Sequence, residues 1–162
     1  CRIALDKLKK TYEQDIQEKN IRIVFDNLTL SLMMEVNVEQ FSKVLAGILK
    51  NSMYALLKKS ETVTFSPEIF LGLKVNKDML EITIRDNGSG IDENIKDKIF
   101  APFFTTKTTG EAAGVGLYLC REIVQNHRGT IEVESKKGEY TQFLITIPVY
   151  QPKTITPPKE EE

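Results

Sequence analysis

The sequence has almost no excess charge: among its 162 residues, 22 basic and 23 acidic side chains leave a net charge of −1 at pH 7. Without a basic surplus, nothing draws the chain to nucleic acid or to an anionic membrane surface. Long apolar runs are missing too. None approaches the roughly 20 residues that span a bilayer, and the N-terminus lacks the charged-then-apolar pattern of a secretion signal. Direct membrane contact by this domain is therefore not expected. Cysteine is scarce. Cys1 and Cys120 have no metal-ligand neighbours, and Cys120 falls in an apolar helical stretch, so the expectation is a reduced structural thiol in a reducing, cytoplasmic compartment, whether or not the parent protein is anchored in a membrane. The first residue is Cys1 and not methionine, which suggests a piece of a longer protein. No internal repeat is present. What the chain does have is 41% hydrophobic residues, enough for one core and one domain of this length.

Helix formers run from Arg2 to about Asn20, with Ile3, Leu5, Leu8, Tyr12 and Ile16 spaced by turns. This predicts one amphipathic helix over residues 1–20, either part of the core or the end of a dimerisation or linker helix. A strand over Ile21–Phe25, a turn at Asp26-Asn27 and a second strand from Thr29 to Met33 predict a hairpin. Asn37 followed by Gln40 reads as a cap for a helix to about Lys59. On it Phe41, Val44, Leu45, Ile48, Ser52, Ala55 and Leu56 share a face, Lys43 and Lys50 point away, and Asn51 sits at the edge.

Alternating apolar residues predict strands at Ile69–Val75 and Leu80–Arg85, joined at Asn76-Lys77-Asp78. Continuing the period of two, Asp86 points inward where the second strand ends. A short helix from Glu93 to Ile99, a mobile loop from Phe100 to Ala113 and a helix from Leu117 to Asn126 with Gly129 as its C-cap follow. Strands at Thr130–Glu134 and Thr141–Pro148 close the domain, which spans residues 21–150, and residues 151–162 read as a disordered tail or linker. Mixed order with hairpins points to an α+β fold: a two-layer α/β sandwich with a mixed, mostly antiparallel sheet on about three helices.

Four features occur in a fixed order: Lys50-Asn51-Ser52; Asp86-Asn87-Gly88-Ser89-Gly90-Ile91; Ile99-Phe100-Ala101-Pro102-Phe103-Phe104; and Gly114-Val115-Gly116-Leu117. An inward carboxylate such as Asp86 can accept the exocyclic amino hydrogens of a purine. Glycines directly before a helix leave backbone N–H groups and the positive dipole end for phosphate oxygens. In this order the four segments resemble the Asn box, first glycine box, Phe box and second glycine box of the histidine-kinase branch of the superfamily that includes gyrase, the heat-shock chaperone of the ninety-kilodalton class and the mismatch-repair ATPases. The resemblance covers about Ile21 to Pro148.

It implies a Bergerat-type fold and a catalytic domain that binds Mg-ATP and transfers the γ-phosphoryl group to a histidine on a separate dimerisation and phosphoacceptor domain of the same parent, upstream of a response regulator. It also implies that Asn51 is the Mg2+ ligand and, with Lys107, catalytic. ATP is expected to meet Asn51, Asp86, Gly88, Gly90, Ile91, Phe100, Thr105, Thr106, Lys107, Gly114, Val115, Gly116, Leu117 and Thr141, the last supporting the adenine-binding Asp86. The Phe-box aromatics either anchor the ATP lid, dock on the partner domain or form a hydrophobic staple.

Three positions depart from the family pattern. Tyr54 stands where many kinases carry a phosphate-facing lysine, leaving Lys58 or Lys107 to supply the charge; Ala112 replaces a glycine; and Gly47 replaces the glutamate with which hydrolytic relatives activate water. Gly47 disfavours the alternative of an ATP-hydrolysing conformational switch, and Tyr54 and Ala112 keep open a degenerate nucleotide-binding interaction module. The single histidine, His127, reads as a helix-terminal residue and not as the phosphoacceptor.

Overall fold

The computed structural model describes residues 6, 9–26, 37–106 and 114–149. No helix among them is long and apolar enough to cross a membrane. The elements are α1 (Glu13–Glu18), β1 (Arg22–Asp26), α2 (Val38–Ser60), β2 (Glu68–Asn76), β3 (Met79–Asp86), α3 (Glu93–Lys96), α4 (Gly116–Asn126), β4 (Thr130–Lys136) and β5 (Tyr140–Pro148). Among the described residues the strands form one open mixed sheet in the order β1-β2-β3-β5-β4, in which β1 and β2 run parallel and the other neighbours antiparallel. The expected α+β two-layer architecture is the one observed.

The period-two patterns set the buried face. Leu80, Ile82, Ile84 and Asp86 of β3 are buried, and so are Thr141, Phe143, Ile145 and Ile147 of β5. Their register places Ile82 opposite Ile145, Ile84 opposite Phe143 and Asp86 opposite Thr141, so like meets like along both strands. Against this face lies α2, whose stripe of Phe41, Val44, Leu45, Ile48, Leu49, Met53 and Leu56 is buried, as helical periodicity requires. Its start is fixed by Asn37, whose Oδ1 accepts from Gln40 N–H at 3.0 Å. Cys120 and Val124 on the inner side of α4 complete the layer. The Cys120 Sγ faces Val44 O at 3.7 Å, and burial pushes its thiol up to about 11, an unreactive structural cysteine.

Some local expectations need correcting. Tyr12 leaves helical geometry (φ −115°, ψ 25°), so the single helix over residues 1–20 is interrupted there; Tyr12 and Ile16 both turn onto the core, and Ile21 N–H closes the end on Ile16 O. The expected partner of β1, residues 29–33, lies outside the described residues. Within the described sheet β1 pairs with β2, with Ile23 opposite Ile69, and α2 makes the crossover that parallel strands need. After α4 the left-handed residue is Arg128 (φ 58°), while Gly129 N–H returns to Val124 O at 3.0 Å.

His127 closes the far end of the helical layer. Its Nδ1 lies 2.7 Å from Ile123 O, and its Nε2 accepts from Asn37 N–H at 2.9 Å. A carbonyl oxygen cannot donate, so Nδ1 carries the proton and Nε2 offers its lone pair. The ring thus ties the last turn of α4 to the first of α2. Replacing His127 by alanine is expected to cost about 1 kcal/mol, read as a lower urea midpoint at unchanged slope; His127→Gln, whose amide oxygen can still accept from Asn37 N–H, should recover part of it.

Candidate functional site

Between α2, the end of β3 and the start of α4 lies a cavity of about 520 Å³, a size that holds a small organic cofactor. Of the residues singled out in the sequence, Asn51, Asp86, Gly90, Ile91, Thr105, Thr106, Gly114, Val115, Gly116, Leu117 and Thr141 all line it. Two do not. Gly88 lies beneath Asp86, and Phe100 stands behind the wall, its ring edge-on to Phe143 at 6.4 Å; it is Phe143 and Phe104 that reach the cavity. Lys107 and Ala112 lie outside the described residues. Lys58 lines the cavity as anticipated, and so does Lys50, which periodicity had directed away; it is exposed and reaches the rim.

The closed end is built around Asp86, 2% exposed. Its Oδ1 accepts from Gly88 N–H at 3.0 Å. Burial pushes its carboxyl up to about 6 from the ordinary 3.8, against the opposing effects of Ser52, the Gly88 N–H and the charge of Lys59. Among the described residues Ser52 Oγ has no hydrogen-bond partner, although it is buried and Ser52 lines the cavity. A buried carboxylate and an unpartnered buried hydroxyl side by side form a polar edge that a hydrogen-bonding ligand satisfies.

The loop after Asp86 is held by its backbone. Ser89 N–H bonds Ala55 O at 3.2 Å, and Gly138 N–H bonds Ser89 O at 2.7 Å. Gly90 takes φ +64°, and a Cβ there would stand 2.2 Å from Lys136 O, so only glycine lets this loop lie against the β4–β5 turn. That contact brings Lys137 into the cavity wall, where it pairs with Asp92 at 2.8 Å. Neither residue was anticipated, because nothing in a Lys-Lys-Gly turn says what it leans on. Ser135 was missed as well. Its Oγ accepts from Ile91 N–H at 2.8 Å, donates to Tyr140 O at 2.6 Å and lies 3.1 Å from Thr141 Oγ1. The inward alternation Ile131, Val133, Ser135 was the available signal.

The open end is different in kind. Gly114 (φ +71°) packs on the backbone of Phe103 and Phe104, where a Cβ would stand 2.6 Å from Phe103 C, and it turns the chain into α4. The first residues of α4 and its positive end face the cavity, a suitable seat for phosphate oxygens. Asn51, half-buried on α2, offers a hard oxygen donor to the cavity, which Lys50 and Lys58 of the same helix also line. Among the described residues no three His, Cys, Asp or Glu side chains cluster as a metal cage. A cation here would be held by Asn51 together with ligand phosphates and water, as suits Mg2+. Ile95, Ile99 and Leu117 supply apolar walls between the two ends.

The model of the histidine kinase-, DNA gyrase B- and HSP90-like ATPase family matches residues 37–151. Cyanobacterial phytochrome A of Nostoc sp. is 35% identical over 149 residues, 90% of this chain and 18% of that protein. Sensor histidine kinase ZraS of Salmonella typhi is 29% identical over 136 residues, 84% of this chain and 28% of that protein. The chain thus spans less than a third of these relatives. The solved catalytic domain of histidine kinase ThkA superposes with a TM-score of 0.72 at 27% identity, each chain covered to 91%. With its four motifs gathered on one cavity, the chain belongs to the histidine kinase-, DNA gyrase B- and HSP90-like ATPase family, as an ATP-binding catalytic domain of the histidine-kinase type.

Proposed function

We propose that this domain binds Mg-ATP in the cavity and passes the γ-phosphoryl group to a histidine on a separate dimerisation and phosphoacceptor domain of its parent, which then serves a response regulator. The observation that carries the reading is a single cavity lined by a buried carboxylate, Asp86, by Asn51 and by the glycine-led start of α4. Asp86 and Thr141 hold the base, Ile91, Ile95 and Leu117 enclose it, and the amides opening α4 hold phosphate oxygens. Asn51 holds the magnesium ion, while Lys50 and Lys58 offset phosphate charge. The chemistry supplied by bound Mg-ATP is transfer of its γ-phosphoryl group to the acceptor imidazole, with ADP as leaving group.

Two features support an acceptor in trans. His127 has both ring nitrogens in hydrogen bonds and does not line the cavity. Phe103 is 79% exposed beside Gly114, and Leu119 is 50% exposed on α4, two apolar side chains free to meet a docking acceptor domain. Rapid hydrolysis is disfavoured at Gly47. A Cβ there would stand 3.1 Å from Cys120 Sγ, so the thiol crowds the place where a hydrolytic relative needs its glutamate. In a reaction with the parent's histidine-bearing domain, acid-labile phosphohistidine should form on that domain, and Asn51→Ala should slow its formation about tenfold or more by loosening the metal. Absence of phosphohistidine on the acceptor domain at saturating Mg-ATP would overturn the proposal.

A further inference from the structure

We infer that Ser135, which does not line the cavity, is a positioning residue that sets base selectivity by fixing the direction of the Thr141 hydroxyl. The inference rests on the nucleotide-binding reading above and deepens it. A serine hydroxyl has one proton. That of Ser135 goes to Tyr140 O at 2.6 Å, since a carbonyl can only accept, and its lone pairs take Ile91 N–H at 2.8 Å and the Thr141 hydroxyl at 3.1 Å. By elimination Thr141 is the donor in the last bond. Its single proton is committed to Ser135, which does not line the cavity, so Thr141, which does, has only oxygen lone pairs left to offer a ligand there.

Thr141 stands directly opposite Asp86 in the β3–β5 register, on the same buried face. With Oδ1 of Asp86 taken by Gly88 N–H, the ionised carboxylate presents Oδ2, again an acceptor. Asp86 and Thr141 therefore both meet a ligand as acceptors. A purine bearing a 6-amino group offers two hydrogens to such an edge, and a 6-oxo purine offers lone pairs that it repels. Ser135 also anchors Ile91 through the backbone, so one side chain behind the wall sets both the loop that covers the base and the polarity of the edge that reads it.

The test compares Mg-dependent binding of ATP and of inosine triphosphate, which share sugar and phosphates, to the 162-residue chain. The wild type should prefer ATP by about a hundredfold, the order expected of a site built around a substrate hydrogen-bond donor. In Ser135→Ala, Thr141 is free to turn its proton into the cavity, and the preference should narrow about tenfold. Ser135→Thr keeps the hydroxyl and should keep the preference. In a Thr141→Val background, Ser135→Ala should change the ratio no further, which a general loosening of the fold would not reproduce. If the alanine variant does not fold, Ser135→Cys fills the same space with a weak donor and should narrow the ratio likewise. Equal weakening of both nucleotides in Ser135→Ala, with the ratio unchanged, would overturn the inference while leaving nucleotide binding intact. A wild type that binds neither nucleotide would sink the nucleotide reading, and this inference with it.

Discussion

Asp86→Asn is expected to weaken ATP binding by about a thousandfold and, at pH 7.5, to make the folded domain more stable. The two effects have one cause. Asp86 is 2% exposed, and burial raises its carboxyl to about 6, so above that pH the native state holds an ionised group that the unfolded chain would rather solvate. A shift from 3.8 to about 6 corresponds to about 3 kcal/mol of stability forgone once the carboxylate is ionised. Asparagine keeps the shape and can still accept Gly88 N–H through its oxygen, but it carries no charge to desolvate. Its amide nitrogen then faces the cavity and sets a donor against the donors of a 6-amino purine. Both the charge-assisted bond and its replacement are lost.

The sign with pH follows from proton uptake. Between pH 3.8 and about 6 the native state binds a proton at Asp86 that the unfolded state has released, so the stability this group contributes is fully present below pH 3.8 and is lost as pH rises through about 6. Wild type and Asp86→Asn should therefore differ little near pH 3.5, and the variant should gain up to about 3 kcal/mol by pH 7.5, followed by urea unfolding across that range. ATP affinity in the wild type should move the other way, weakening about tenfold between pH 7 and pH 5 as the acceptor is protonated. The variant lacks that step, which separates it from titration of the nucleotide's own phosphates. Equal ATP affinities in the two proteins at pH 7.5 would remove Asp86 from the base site.

Asp86 was legible because its neighbours are regular. Leu80, Ile82 and Ile84 fix which parity of β3 is buried, and a carboxylate at the next inward position has to have a use. Thr141 follows from the same rule read along Phe143, Ile145 and Ile147. α2 was legible from its cap and its stripe, and Asn51 from its place at the stripe's edge. Relations between distant segments were not. The parallel pairing of β1 with β2 joins strands more than 40 residues apart through α2, and no local pattern carries it, whereas a turn sequence after β1 suggests a hairpin. Lys137 and Asp92 reach the cavity only because the glycine loop lies on the β4–β5 turn. In the segment around Pro102, three phenylalanines without a period look alike. The fold buries Phe100 behind Phe143, turns Phe104 to the cavity and leaves Phe103 outside at φ +64°.

That loop-on-turn contact sets the second large expectation. Gly90→Ala should destabilise the domain by about 3 kcal/mol or more, a fall in Tm of roughly 6–12 °C for a chain of this length. Two separate penalties meet at this position. The left-handed φ of +64° alone costs an alanine about 1 kcal/mol. The added methyl would also stand 2.2 Å from Lys136 O and 2.8 Å from Lys137 Cα, and both are backbone atoms that cannot rotate away. Relief requires the 88–92 loop to lift off the turn, which strains Gly138 N–H to Ser89 O and Ile91 N–H to Ser135 Oγ, the bonds that hold the closed end of the site. ATP affinity should fall with stability. Gly116→Ala is the contrasting case in the second glycine motif: its φ is ordinary, a Cβ would meet nothing within 4 Å among the described residues, and it opens α4, so alanine should leave Tm within about 2 °C of wild type. If the two variants melt together, the closed end is looser than the contacts around Gly90 imply, and the tight seating of the loop on the β4–β5 turn is wrong.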